Sequence, residues 1–223
     1  MKKFAIVAVL MLLLPVLAQA QTSYVTVDPA VLNLGFMNVY QLDGTTFEFA
    51  SGWGFADLTA VYDGNDLTLG PNCIGDPNEY WYQCVDSVPP NCGGPGQPGN
   101  KIMEANGYAE ATGLYNGDTV IFRGEVLSYS LTEAHTVKAF IKDFAADYST
   151  FVLSEITLTG VGPFEVELAT VADPGRHIQW GFQMIGVNVW VTDLEPFGTV
   201  VIGPDYSIAN EESSWGAIKN LYD

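Results

Sequence analysis

Tyr80-Trp81-Tyr82 lies in a stretch that also holds Asn72, Asp76 and Asn78. Sugars present CH-rich faces to aromatic rings and hydroxyls to carboxamides and carboxylates, so a ring platform bordered by Asn and Asp suits a glycan. Trp53 sits between Gly52 and Gly54, whose lack of side chains lets an indole be either presented or tucked in. The competing reading is that these rings pin a loop to the body of the protein, because aromatic side chains bury large areas. A second polar set lies on strand-like segments: Glu104, Asn106 and Tyr108 at period two on one, Arg123 and Glu125 on the next, Gln179 and Gln183 on a later one. If these faces coincide they form a concave polar surface able to grip a sugar chain. Taken separately they are an ordinary solvated sheet face with cross-strand ion pairs, which is the default expectation. The predicted ligand-binding set is therefore Trp53, Tyr80, Trp81 and Tyr82 for stacking, with Asn72, Asp76 and Asn106 as hydroxyl partners.

The acids and histidines are less specific. Two carboxylates across a cleft would serve glycoside hydrolysis, but 26 Asp and Glu make a chance pair easy. The sequence has no Gly-x-Ser-x-Gly elbow and no Glu-x-Asp-x-x-Glu strand motif. His177 follows Asp173-Pro174-Gly175-Arg176 and could act as a base beside Arg176 or Gln179 in a lyase-type site; a strand starting after a Pro-Gly turn is the simpler explanation. No catalytic residue is assigned. Asp-rich turns at Asp63–Asp66, Asp143 with Asp147, and Asp173 could hold a structural Ca²⁺, although none has the alternating acids and closing Glu of an EF-hand loop. No other cofactor is expected. Cys73, Cys84 and Cys92 fall in one loop. An exported chain would join two of them in a disulfide, with the pairing open. A zinc site is the alternative, and it lacks both a CxxC and a nearby histidine.

Export is predicted from the N-terminus. Lys2-Lys3, the apolar run Phe4–Leu17 and the small residues Ala18-Gln19-Ala20 form a secretory signal with cleavage after Ala20. The run is short for a membrane span and no stop-transfer charges follow, so the mature chain is expected to be secreted, periplasmic or held at the cell surface without a transmembrane span. The whole chain of 223 residues has 26 Asp and Glu against 8 Lys and Arg, a formal net charge of −18. That balance offers no basic stripe for phosphates and excludes a nucleic-acid binder. The 48% apolar content excludes a disordered acidic chain.

The elements that must position these residues read as short strands. Aromatic enrichment and turn signals define Tyr24–Val27, Leu34–Tyr40, Thr46–Phe49, Leu58–Tyr62 and Leu67–Leu69, the last two joined by a hairpin turn at Asp63-Gly64-Asn65-Asp66. Residues 70–100, with six prolines and all three cysteines, read as a long irregular loop. Ile102–Ala111 and Thr119–Tyr129 are joined across Asn116-Gly117, a tight-turn signal, and are followed by His135–Phe144, Thr150–Leu158, Phe164–Thr170, His177–Met184, Val187–Val191 and Thr199–Ile202. Alternation places Val120, Phe122 and Val126, then Phe164, Val166 and Leu168, then Ile178, Trp180, Phe182 and Met184 in a core; Trp190 reads as facing outward. Without strand–helix–strand alternation, the fold class is all-β: an antiparallel β-sandwich of jelly-roll type over residues 21–206. Trp215, Ile218, Leu221 and Tyr222 at helical spacing predict a short C-terminal helix in a tail at residues 207–223.

Trp53-Gly-Phe-Ala-Asp-Leu, Asn100-Lys-Ile-Met-Glu-Ala-Asn-Gly-Tyr, Ala139-Phe-Ile-Lys-Asp-Phe and Gln179-Trp-Gly-Phe resemble segments of a group of secreted bacterial β-sandwich proteins, over about Leu34 to Ile202. That group brings no catalytic residues. The order of elements also resembles carbohydrate-binding modules of the galactose-binding-like jelly-roll type, which implies sugar bound on a concave sheet face or on loop aromatics, and a structural Ca²⁺. The function expected is a non-catalytic binder of glycan or cell-surface matrix. The alternatives are a polysaccharide hydrolase or lyase on the same scaffold, and a structural surface or adhesion protein without a small ligand.

Overall fold

The computed structural model describes residues 21–76, 81–84 and 92–205. The predicted signal (1–20) and all of the tail (207–223), with its helix, lie outside the described residues. The strands are β1 (Thr22–Thr26), β2 (Leu34–Gln41), β3 (Phe47–Trp53), β4 (Ala60–Asp63), β5 (Asp66–Leu69), β6 (Cys73–Ile74) and β7 (Lys101–Thr112). They continue with β8 (Thr119–Tyr129), β9 (His135–Phe144), β10 (Phe151–Leu158), β11 (Gly162–Ala169), β12 (His177–Val187), β13 (Val189–Trp190) and β14 (Val200–Pro204). Among the described residues the helical pieces are two 3-10 turns, Phe55–Leu58 and Glu195–Phe197.

Two six-stranded sheets pack together, and both are largely antiparallel. Sheet I runs β1-β8-β14-β5-β4, with β11 on the other side of β8. Along one edge of β8, β1 covers residues 119–123 and β14 covers residues 124–129. Sheet II runs β10-β9-β12-β7-β2-β3. Two pairings depart from the antiparallel expectation: β1 runs parallel to β8, and β13 runs parallel to β6.

The alternating patterns set the core. Val120, Phe122 and Val126 of β8 and Phe164, Val166 and Leu168 of β11 are buried with Ile178, Trp180, Phe182 and Met184 of β12 and Val137, Ala139 and Ile141 of β9. Phe122 joins the two sheets, with its ring centroid 5.4 Å from Phe164 and 5.3 Å from Phe182. Each large side chain withdrawn from water in this way contributes roughly 1.5–3 kcal/mol. The Asp63–Asp66 turn closes the β4–β5 hairpin with Gly64 at φ +62°. Asn116-Gly117 is not a hairpin turn. Residues 113–118, with Gly113, Tyr115 and Gly117 all at positive φ, carry the chain from β7 in sheet II across to β8 in sheet I. Trp190 is buried rather than outward, edge-on to Tyr82 at 5.3 Å.

The 70–100 segment is tied down at several points. Its β6 pairs with β13, and Cys84 is bonded to Cys92, leaving Cys73 as a free thiol. Tyr82 is fully buried, and its hydroxyl lies within hydrogen-bond reach of the Ile74 and Val189 carbonyls, the latter at 2.7 Å. That ring joins β6 to β13 from inside, as an aromatic anchor with a satisfied polar tip does.

Candidate functional site

The outward face of sheet II carries the polar residues of three neighbouring strands in register. Lys142 of β9 stands beside Gln179 of β12, which stands beside Glu110 of β7; two residues along each strand from Gly181, Lys138, Gln183 and Asn106 form the parallel row. Period-two alternation sends these side chains away from the core that Ile141, Ile178 and Ala109 occupy. Between the rows, Phe140, Gly181 and Tyr108 are in register. A Cβ on Gly181 would stand 2.2 Å from the Gly107 carbonyl oxygen, so the close approach of β12 and β7 at this point requires glycine.

The result is a groove of about 780 Å³. Its floor is Glu104, Asn106, Glu110, Lys142, Gln179 and Gln183, and its sides include Phe36, Tyr40, Phe144, Tyr148, Phe151 and Leu153. The floor is held by two hydrogen-bonded groups, one around Asn106 and one around Glu110. Asn38 donates to Glu104 at 2.6 Å. Asn106 accepts from Lys142 at 3.1 Å and from Gln183 at 3.0 Å. Glu110 accepts from Gln179 at 2.7 Å and from the Tyr148 hydroxyl at 3.0 Å. On the rim Lys138 and Glu155 form an ion pair at 2.5 Å. Gln179 and Gln183 are more than nine-tenths buried, yet among the described residues their side-chain carbonyl oxygens accept no hydrogen bond, and they are not sealed from solvent. The Tyr108 hydroxyl likewise makes no hydrogen bond among the described residues. Burial and the Glu110 charge raise its pKa, which keeps it neutral and able to donate.

Tyr148 closes one end of the groove. It sits at φ +58° in the β9–β10 turn, its ring stacked on His177 at 4.2 Å and 14°, and about half of the residue is exposed. His177 is held by Thr112 at 2.7 Å through Nδ1 and faces the Ala146 carbonyl through Nε2. Burial and Glu110, which accepts the hydroxyl proton and repels the phenolate, push the Tyr148 pKa up to about 12. The folded state therefore holds the phenol proton through the ordinary tyrosine range near 10, and the bond to Glu110 is lost as the pH rises toward 12. In an ultraviolet titration, Tyr148→Phe is expected to remove a late-ionising tyrosine, and Glu110→Gln to bring that ionisation back toward the ordinary range. An unchanged alkaline limb in both variants would show that the contact does not persist in solution.

Of the residues singled out in the sequence, the structure gathers Glu104, Asn106, Tyr108, Gln179 and Gln183 in this groove. Arg123 and Glu125 lie on sheet I instead, where Arg123 bonds Glu165 at 2.6 Å and covers the Tyr24 ring at 4.3 Å. Trp53 and Trp81 meet edge-on at 6.1 Å on the core side of sheet II, and Phe49 lies 5.5 Å from Trp81. Trp81 is 8% exposed and belongs to the core cluster. Both Trp81 and Tyr82 are packed inward, on a segment tied by main-chain bonds from Asn100 to Trp81 and from Gln83 to Pro98 and by the Tyr82 hydroxyl to Val189. Asn72 is buried too, donating to the Asp57 carbonyl at 2.9 Å, while Asp76 is exposed just beyond β6. Trp53, Trp81, Asp57 and Cys73 border a shallower cleft of about 540 Å³. Tyr80 lies outside the described residues.

The residues that the motif reading missed are Lys142, Tyr148 and the aromatic rim. Lys138 and Lys142 alternate with Val137, Ala139 and Ile141, which was signal enough to place them on the outward face. Nothing in the sequence marks Tyr148, whose position comes from a left-handed turn. Among the described residues no group of three or more His, Cys, Asp or Glu side chains is arranged to hold a metal ion. Of the acids considered for Ca²⁺, Asp143 is committed to Arg176 and Asp147 to Ser149. Among the same residues no helix is long and apolar enough to cross a membrane. No family model, no curated protein and no solved structure matches the chain.

Proposed function

We propose that the protein is an exported, non-catalytic carbohydrate-binding β-sandwich whose ligand lies in the groove on the outer face of sheet II. The observation that carries this reading is the pair of nearly buried carboxamides, Gln179 and Gln183, whose unused carbonyl oxygens open into a groove edged with aromatic rings. Sugar hydroxyls donate to such oxygens, and the CH faces of pyranose rings lie against Tyr148, Phe151 and Phe36. Asn106 stays in the ligand set as the centre of the network that fixes Gln183. Export through residues 1–20 and a jelly-roll ancestry of the sandwich belong to the same reading. The Cys84–Cys92 disulfide favours an oxidising compartment.

Turnover is not expected at this site. Both ring nitrogens of His177 and both oxygens of Glu110 are already engaged, so neither is poised to move a substrate proton. Affinity electrophoresis of the purified protein through a panel of soluble polysaccharides tests the binding reading. Retardation by at least one of them is expected, weakened about tenfold by Gln183→Ala and by Tyr148→Ala, the value of one lost hydrogen bond or ring contact. Equal retardation of both variants and the parent would move the ligand away from the groove. Release of reducing ends or unsaturated uronosyl products would replace binding by hydrolysis or elimination. Failure to bind any glycan would leave a structural surface protein.

A further inference from the structure

We infer that the glycan seated in this groove carries an isolated carboxylate, a uronic acid unit within an otherwise neutral chain, and that Lys142 is its anchor; this rests on the groove being the ligand site. The groove contains three carboxylates and two ammonium groups, and of the two ammonium groups Lys138 has a carboxylate in contact and Lys142 has none among the described residues. Glu104 accepts from Asn38 and Asn106, Glu110 from Gln179 and Tyr148, and Glu155 is paired with Lys138. Among the described residues Lys142 makes no ion pair within 4.0 Å. Its ammonium donates once, to the neutral Asn106 oxygen at 3.1 Å, and lies 4.4 Å from the Phe140 ring centroid. Phe140 is fully buried although it lies on the groove side of sheet II and outside the inter-sheet core, so Lys142 rests on an apolar floor.

An ammonium has three donors, so two remain for a ligand. The group is largely withdrawn from water: desolvation lowers its pKa, against the opposing pull of Glu104 and Glu155, with a smaller lowering from the Lys138 charge. A cation already stripped of much of its hydration and with no carboxylate in direct contact gains from an incoming anion. The neighbouring Gln179, Gln183 and Tyr108 supply the hydroxyl contacts of the same sugar ring. The rest of the molecule limits how much anionic charge the ligand can carry. At a net charge of −18, a homopolymer of uronic acids or a sulfated chain would be repelled wherever its charges come within a Debye length, about 10 Å, of the acidic surface. Within the groove the local, poorly screened charge of Lys142 governs. A single carboxylate set among neutral sugars satisfies both conditions.

Matched oligosaccharide pairs test this. Each pair is a xylan-, glucan- or mannan-type fragment with one glucuronic acid unit, together with the same fragment after reduction of the carboxyl to a primary alcohol. In calorimetry with the intact protein at low salt, the acidic member of at least one pair is expected to bind ten- to a hundredfold more tightly, the range of a charge-assisted hydrogen bond. That preference should shrink as salt is raised. Lys142→Gln retains a donor for Asn106 and is expected to abolish the preference for the acidic member. Equal affinity of the parent for both members overturns the uronate assignment and leaves the groove reading intact. A preference that survives in Lys142→Gln overturns the role of this lysine. If neither member of any pair binds, the groove reading itself falls. Should the variant fail to fold, the paired comparison on the parent protein still decides the ligand class.

Discussion

Arg176→Met is expected to lower the free energy of unfolding by about 3–5 kcal/mol, the cost of stranding one partner of a buried ion pair. Asp143 is wholly inaccessible and Arg176 nearly so. The guanidinium Nε donates to Asp143 Oδ1 at 2.6 Å, and Nη2 donates to the Asp143 main-chain carbonyl at 2.8 Å. The second carboxylate oxygen accepts the Val171 N–H at 2.8 Å. One side chain thus joins the end of β9 to the segment that leads from β11 into β12. Methionine fills much of the space of the arginine stem but leaves the carboxylate unpaired. The double variant Asp143→Asn/Arg176→Met is expected to be more stable than the sum of the two single effects by roughly 0.5–3 kcal/mol, because the stranded charge is gone. Urea denaturation of the four proteins in the cycle provides the measurement. A loss below 1 kcal/mol for Arg176→Met would mean that water reaches the pair in solution. The groove lies on the same β9 and β12 strands, so this pair also holds the register of Lys142 against Gln179.

The strands were legible because period-two alternation needs only local information. β8 and β9 have the bounds that their patterns give, and the inward set of β12 is the one that alternation selects. What alternation cannot report is which sheet a strand joins. Asn116-Gly117 looks like a hairpin turn, yet β7 and β8 belong to different sheets, and the choice depends on long-range packing. For the same reason Arg123 and Glu125 read as neighbours of Glu104 and Asn106 but lie across the molecule from them. The polar residues of β12 show the limit from the other side. Gln179 and Gln183 alternate with a core and so read as solvated, whereas the structure buries them between strands that carry long side chains on the same face. A central strand in a sheet with a filled outer face is polar and buried at once. Residues 70–100 were the least legible. Their composition announces a loop, but Trp81 and Tyr82 are held inward by bonds to residues distant in sequence, Pro98, Asn100 and Val189, which hydropathy does not record.

Trp81→Ala is expected to cost about 3–5 kcal/mol of stability, the usual penalty for emptying a large aromatic site in a core. The indole packs edge-on against both Phe49 and Trp53. Trp53 is itself only half-buried and bonded to Ser51 Oγ at 2.9 Å, so collapse onto the vacated volume would break that bond. The two consequences of this variant separate packing from recognition. Phe49 and Trp53 pair with Val39 and Gly35 on the core side of sheet II, whereas the groove takes Phe36, Asn38 and Tyr40 from the opposite side of the same strand. The folded fraction of Trp81→Ala should therefore bind glycan with unchanged affinity at a temperature well below its lowered melting point. A variant that melts like the parent but no longer binds would assign the 540 Å³ cleft beside Trp53, rather than the groove, as the sugar site. Thermal melting and affinity electrophoresis on the same preparation distinguish these results, because each hypothesis commits the ring to one energetic role: a buried ring stabilises the fold whether or not ligand is present, and a stacking ring contributes only when sugar is bound.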